Sequence, residues 1–195
     1  MSRWDGEVLV LAHHLLTENN IVLGVGASDK SSALAKLASL GEPRSGLDDK
    51  LLRQAFMHRE KLGSTGLGGG VAIPHALVDG PAAPVALLMR LKTAIDFDAI
   101  DGLPVDILYA LIWPRQDLSD FLPTLAAVCR TLRSEQMRHH IRAATTPATV
   151  FACFASAAEE AGGAAIMSHP RDGSRLGLRS VSAAAFDERC GPETG

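Results

Sequence analysis

Cysteine is scarce: Cys129, Cys153 and Cys190 are the only three in 195 residues. They are odd in number and too scattered for a disulfide framework or for paired C-x2-C zinc ligands, which implies a reducing compartment. An excess of basic charge is also missing. Nineteen Lys and Arg stand against 22 Asp and Glu, a formal net charge of −3, so the chain has no basic stripe of the kind that neutralises nucleic-acid phosphates. No apolar run approaches the roughly 20 residues that span a bilayer. The short run Val8 to Ala12 follows the acids Asp5 and Glu7 and does not read as a signal peptide. A soluble, cytoplasmic protein with no nucleic-acid partner and no membrane insertion is expected. No internal repeat occurs.

What is present suits one core. Hydrophobic residues make up 47% and charged residues 21% of the chain, far from the signature of disorder. The spacing predicts a short helix over Glu7 to Leu16 and an edge strand over Asn20 to Val25. A helix then starts at Ser28-Asp29, carries Leu34, Leu37 and Leu40, and is expected to stop at Gly41-Glu42-Pro43. A second helix, with Leu51, Leu52, Ala55 and Phe56 on one face, is expected from Asp48 to about Glu60. After the glycine-rich stretch Gly63 to Gly70, strands are expected at Val71 to Ile73, Val85 to Leu91 and Val105 to Trp113. The last two are almost continuously apolar and so buried on both faces. Helices follow at about Leu118 to Leu132, Glu135 to Ala144 and Ala148 to Ala158. Helices before and after a sheet indicate a layered α/β domain, expected over 1–157. The Ala, Gly, Ser and Arg composition of 158–195 reads as a mobile tail.

Chemistry concentrates in Arg59-Glu60-Lys61-Leu62-Gly63-Ser64-Thr65-Gly66-Leu67-Gly68-Gly69-Gly70-Val71-Ala72-Ile73-Pro74-His75. A P-loop is excluded because Gly68 is followed by Gly69-Gly70 and not by Lys and a hydroxyl residue. The dinucleotide fingerprint fails at Val71, the serine elbow is absent, and neither His58 nor His75 has metal-ligand spacing. What remains is a phosphate site built around an imidazole. Gly66, Gly68, Gly69 and Gly70 can bring backbone N–H groups to an anion. Arg59 offers a planar fork to two phosphoryl oxygens, and it is also placed to cap its helix. Ser64 and Thr65 offer hydroxyls, either to the phosphoryl group or to the turn itself. A largely neutral His75 can attack phosphorus without a strong base or any cofactor.

Arg-Glu-Lys-x-Gly-Ser-Thr-Gly-x-Gly followed by Val-Ala-Ile-Pro-His resembles the phosphorylation motif of the fructose, mannitol and nitrogen-regulatory enzyme IIA family of the bacterial phosphotransferase system. Ile95 to Asp106 and Leu111-Ile112-Trp113-Pro114 are similar to that family's next two stretches, and the likeness runs from about His13 to Ala157. The resemblance implies a mixed sheet flanked by helices, as in the mannitol enzyme IIA fold. It also implies that His75 accepts a phosphoryl group from the histidine-containing phosphocarrier protein or its nitrogen-branch counterpart. With no transporter domain attached, the chain looks closest to the nitrogen-regulatory branch. Relay to a IIB protein, regulation of target proteins, and partner binding without phosphorylation are the three roles to separate. One departure stands out: the family's second histidine matches Phe121, which donates no hydrogen bond to a phosphoryl oxygen.

The remaining polar clusters read as structure. His13-His14 and His139-His140 are adjacent pairs on helices and cannot chelate from one face. Asp96, Asp98, Asp101 and Asp106 lack the calcium-loop spacing and are expected to form a solvated turn. His58 is expected on a helix surface.

Overall fold

The computed structural model describes residues 15–81 and 83–167. A single 3-10 turn at Glu18–Asn20 leads into β1 (Ile21–Val25), α1 (Lys30–Ser45) and α2 (Asp49–Lys61). Five strands follow: β2 (Gly66–Gly68), β3 (Val71–Ala72), β4 (His75–Val78), β5 (Val85–Ile95) and β6 (Val105–Pro114) complete the sheet. The chain then runs through α3 (Phe121–Arg133), α4 (Glu135–Ala143) and α5 (Pro147–Met167). The helix expected over Glu7 to Leu16 falls almost entirely outside the described residues, as do 168–195 of the expected tail.

The sheet is mixed and six-stranded, and β6 organises it. It pairs antiparallel with β5 on one side, and on the other it takes first β3 and then β4 in parallel. β1 joins β5 in parallel at one edge, as expected, and β2 pairs antiparallel with β3 at the other. Because side chains alternate along a strand, β6 serves two cores. Ile107, Tyr109, Leu111 and Trp113 meet Phe121, Val128, Leu132, Ile141, Val150 and Phe154 of α3, α4 and α5. Leu108, Ala110 and Ile112 meet Leu34, Leu37, Leu52 and Phe56 of α1 and α2. The near-continuous apolar runs of β5 and β6 are therefore buried on both faces, and the result is helices, sheet, helices in three layers.

Two boundaries differ from expectation. α1 does not stop at Gly41-Glu42-Pro43 but continues to Ser45. Gly41 is there for packing: a Cβ on it would lie 2.6 Å from Ile112 Cδ1, so the helix crosses the sheet at the one residue thin enough to allow it. Pro43 sits in the last turn, where it withholds one N–H from the helix ladder, and the helix ends at Gly46, whose φ is 71° and whose N–H donates to Glu42 O at 3.0 Å. The starts agree with the sequence. Asp29 accepts from Ser32 N–H in a capping box, and Asp48 accepts from Lys50 and Leu51 N–H. At the other end of the chain, α5 runs past the expected Ala158 to Met167.

The glycine-rich stretch is partly strand. Gly66 to Gly68 form β2, and Gly68, Gly69 and Gly70 turn the chain into β3 with φ of 96°, 64° and 82°. Gly66 has an ordinary φ but no room, since a Cβ would sit 2.6 Å from the Ala99 α-carbon. Backbone cannot give way as a side-chain tip does. Gly66→Ala is expected to destabilise the protein by about 1–3 kcal/mol through overpacking, read as a lowered denaturation midpoint. An unchanged midpoint would mean that the 96–104 turn moves freely away.

Candidate functional site

Alternation along β4 sends Ala76 and Val78 into the core beneath α1 and α2 and leaves His75 and Leu77 on the α3 side. There the half-buried His75 ring packs on Phe121, with ring centroids 5.6 Å apart at 54°, and Phe121 packs in turn on Trp113 at 5.6 Å and 61°. Phe121 is thus the ring beside His75, where the sequence match places the family's second histidine. It is also the first residue of α3, so the start of that helix presents its first side chain to the imidazole.

Two hydrogen bonds fix the state of the ring. His75 Nδ1 lies 3.0 Å from Ile73 O. A carbonyl only accepts, so the proton is on Nδ1. Nε2 then carries the lone pair and accepts from Arg59 Nε–H at 2.8 Å. Arg59 Nη1 donates to Gly63 O at 2.9 Å, which ties the guanidinium to the turn that follows α2. Burial lowers the His75 pKa below the ordinary 6.5, opposed by the bond to Ile73 O, with the Arg59 charge lowering it further and Glu60 opposing. The imidazole is therefore neutral, with its lone pair held toward an arginine, at any pH near 7. In an NMR titration His75 is expected to protonate below 6.5. Arg59→Ala should move that titration upward, because it removes both a positive neighbour and a donor to the neutral ring. A downward shift or none would show that Arg59 does not govern the imidazole.

The two hydroxyls and the glycine amides face elsewhere. Ser64 Oγ donates to Phe97 O at 2.8 Å and accepts from Gly66 N–H at 3.1 Å. Thr65 is buried, and its N–H and Oγ1 both donate to the Glu60 carboxylate, the latter at 2.6 Å. Gly69 N–H donates to Asp101 Oδ2 at 2.7 Å. Ser64, Thr65, Gly66 and Gly69 thus spend these groups on the shape of the loop. Gly68 and Gly70 give the turn its left-handed path, and Gly70 O accepts from Asp106 and Ile107 N–H.

The open space at His75 is a cleft of about 610 Å³ between the last turns of α2, strand β4 and the start of α3, and none of these loop residues lines it. Its polar walls are Gln54, His58, Arg59, Asp79 and Arg115, and its apolar walls include Leu62 and Phe121. His58 is on a helix surface as expected, yet that surface faces the same cleft as His75. His139 and His140 are exposed on α4.

Several further residues, given no role in the site by the sequence, support it. Glu60 is 8% exposed and collects Thr65 together with Lys30 Nζ at 3.0 Å, while Lys30 also reaches Asp98 at 2.6 Å. α1, α2 and the glycine loop are therefore pinned through one carboxylate. Asp101, beyond its bond to Gly69, accepts from Leu103 N–H, and these backbone N–H bonds hold its carboxyl below the usual range. Asp106 forms a two-pronged pair with Arg142 at 2.8 and 2.7 Å, and Arg142 also donates to Gly69 O at 2.9 Å. The aspartates expected in a solvated turn are exposed or half-exposed as expected, but Asp101 and Asp106 also hold the site's loop. No group of three or more His, Cys, Asp or Glu side chains able to hold a metal ion occurs among the described residues. Nor is any described helix long and apolar enough to cross a membrane.

Residues 14–157 match the family described as "Phosphoenolpyruvate-dependent sugar phosphotransferase system, EIIA 2". A nitrogen regulatory protein of Pseudomonas aeruginosa is 31% identical over 144 residues, covering 73% of this chain and 94% of its own. Among solved structures, the nitrogen regulatory protein IIA-Ntr of Neisseria meningitidis superposes with a TM-score of 0.71 at 29% identity, over 74% of this chain and 99% of its own. The mannitol IIA protein of Escherichia coli gives 0.61 at 20% identity over 71% and 98%, a likeness of fold.

Proposed function

The chain belongs to the phosphoenolpyruvate-dependent sugar phosphotransferase system EIIA 2 family, and on that premise we propose that it is a phosphocarrier that takes up a phosphoryl group on His75 Nε2. The observation that carries this reading is the pair of bonds on the imidazole, Nδ1–H to Ile73 O and Arg59 Nε–H to Nε2. Together they leave a neutral ring whose one lone pair is already held against a cation.

Transfer needs no proton to move. A carrier protein's phosphohistidine presents phosphorus to Nε2; its N–P bond breaks as the Nε2–P bond forms, and the donor leaves as a neutral imidazole. The proton on Nδ1 stays where it is, so the phosphorylated His75 ring becomes an imidazolium whose N–H still donates to Ile73 O. Arg59 Nε gives up Nε2 and turns its donors to the phosphoryl oxygens, while Nη1 keeps the guanidinium tethered to Gly63. Positioning and charge stabilisation of this kind carry most phosphoryl transfers. The donor is the histidine-containing phosphocarrier or its nitrogen-branch counterpart. A regulatory, nitrogen-branch role is favoured because relatives named nitrogen regulatory protein match at 31 to 38% identity. The protein is placed in the cytoplasm, where such donors act, and the phosphocarrier domain is assigned to 1–157.

The test is incubation with phosphoenolpyruvate and the two general phosphotransfer proteins, followed by intact-mass measurement and mapping of the modified residue, with and without a IIB domain. Gain of one phosphoryl group on His75 is expected, retained when IIB is added if the role is regulatory. No gain, or gain on another residue, overturns the reading.

A further inference from the structure

A phosphoryl group on His75 presents three oxygens to the cleft, and the Arg59 fork can hold two of them. The glycine loop does not supply the rest, because the amides of Thr65, Gly66 and Gly69 and the hydroxyls of Ser64 and Thr65 already bond within the protein. Phe121 has nothing to donate. A donor to the remaining oxygen has to come from the cleft, and its walls hold one other guanidinium, Arg115.

Arg115 follows the last residue of β6. Its N–H donates to Val78 O at 2.9 Å, and its Nη2 donates to Leu77 O at 2.8 Å. Leu77 is two residues from His75 on the same face of β4, a step of about 7 Å along a strand, so the guanidinium is moored beside the nucleophile's own strand. Its other tie is slack: Nε lies 3.8 Å from Asp79 Oδ2, with the two side chains 59% and 84% exposed. An ion pair so exposed holds an arginine with almost no energy. The remaining N–H groups are at liberty to turn toward a charge that appears on Nε2.

We propose that Arg115 is the second cation of the phosphoryl site, closing on the phosphoryl oxygens from the β4–β6 side while Arg59 holds them from α2. This rests on the reading of His75 as the acceptor. Between them the two guanidiniums offer donors to all three phosphoryl oxygens, and the fork geometry of each suits paired oxygens.

Phosphoramidate is the probe, because it offers the phosphoryl group without any protein surface. Its N–P bond breaks, Nε2–P forms and ammonia leaves. Arg115→Ala is expected to slow His75 phosphorylation by phosphoramidate about tenfold, the loss expected of a charged hydrogen bond, with Arg115→Lys in between. Phosphorus NMR of the phosphorylated protein should show the phosphoryl group ionising at higher pH in the alanine variant. A structural role for Arg115 would leave that ionisation unmoved. Slowing with the protein donor alone would assign Arg115 to docking and overturn the proposal, and equal rates with both donors would overturn it too. If the wild-type protein takes phosphate from neither donor, the reading of His75 itself fails and the proposal falls with it.

Discussion

His75→Ala is expected to eliminate phosphate uptake while the protein remains folded. The imidazole is the one group in the cleft whose lone pair is shown held against a cation, and without it no Nε2–P bond forms. The fold does not hang on this side chain. His75 pairs with Leu111 through the β4–β6 ladder, Leu111 N–H donates to Pro74 O at 3.0 Å, and Arg59 keeps its bond to Gly63 O. Truncating a half-buried ring should cost about 1–2 kcal/mol, ordinary for a point substitution. The loss of uptake therefore appears with little change in the melting transition. His75→Gln, which refills part of the space, should be equally inactive and more stable. Continued phosphorylation of His75→Ala would move the acceptor role to His58, the other imidazole lining the cleft, and a double substitution would establish it.

The chemistry of the site was legible because it is local. Arg59 ends one helix, His75 follows an apolar pair and a proline, and the fifteen residues between are dense in glycine, so a short stretch of sequence names both the proposed nucleophile and its arginine. The use of the loop was not legible, because its partners are distant. Nothing in Ser64-Thr65-Gly66 says that Phe97 O, Glu60 and Ala99 wait for them, and those contacts decide that the loop is a scaffold for Arg59 and His75. Arg142 is a similar case: it lies 73 positions from Gly69 in sequence and holds its carbonyl.

The fold follows the same division. Hydrophobic runs long enough to be buried on both faces identified β5 and β6, and capping residues set the starts of α1 and α2. Elements defined by their neighbours were hidden. β2 and β4 are strands because β3 and β6 pair with them, and their own residues give three or four positions of pattern. Gly41 is read as a stop by local propensity, but Ile112 and Leu52 lie where its side chain would be, so tertiary packing turns a helix breaker into a crossing point. The end of α5 shows the converse. Its composition carries no amphipathic stripe after Ala158, so periodicity vanishes there although the helix runs on to Met167.

Phe121→His is expected to speed phosphoryl exchange at His75 by about tenfold or more. The phenyl ring sits 5.6 Å from the imidazole, centroid to centroid, which is near enough for a histidine in its place to donate to an oxygen of a phosphoryl group on Nε2. That oxygen carries growing negative charge as the N–P bond is made or broken, and a hydrogen bond to a charged group contributes about 1.5–3 kcal/mol. At about 1.4 kcal/mol per factor of ten, the lower end of that range already gives the stated gain. The substitution has a cost of its own. Phe121 is 6% exposed and packs edge-on against Trp113, so exchanging it for a smaller polar ring should lower stability by about 1–3 kcal/mol. Rates must therefore be measured well below the melting transition. A second readout separates two uses of the ring. As a missing donor, Phe121 slows exchange and its replacement leaves hydrolysis of the phosphorylated protein unchanged. As a seal, it keeps water from phosphorus, and its replacement shortens the phosphorylated lifetime with no gain in exchange. The second outcome would make Phe121 an adaptation for holding the phosphoryl group, which is what a regulatory carrier with no onward acceptor requires.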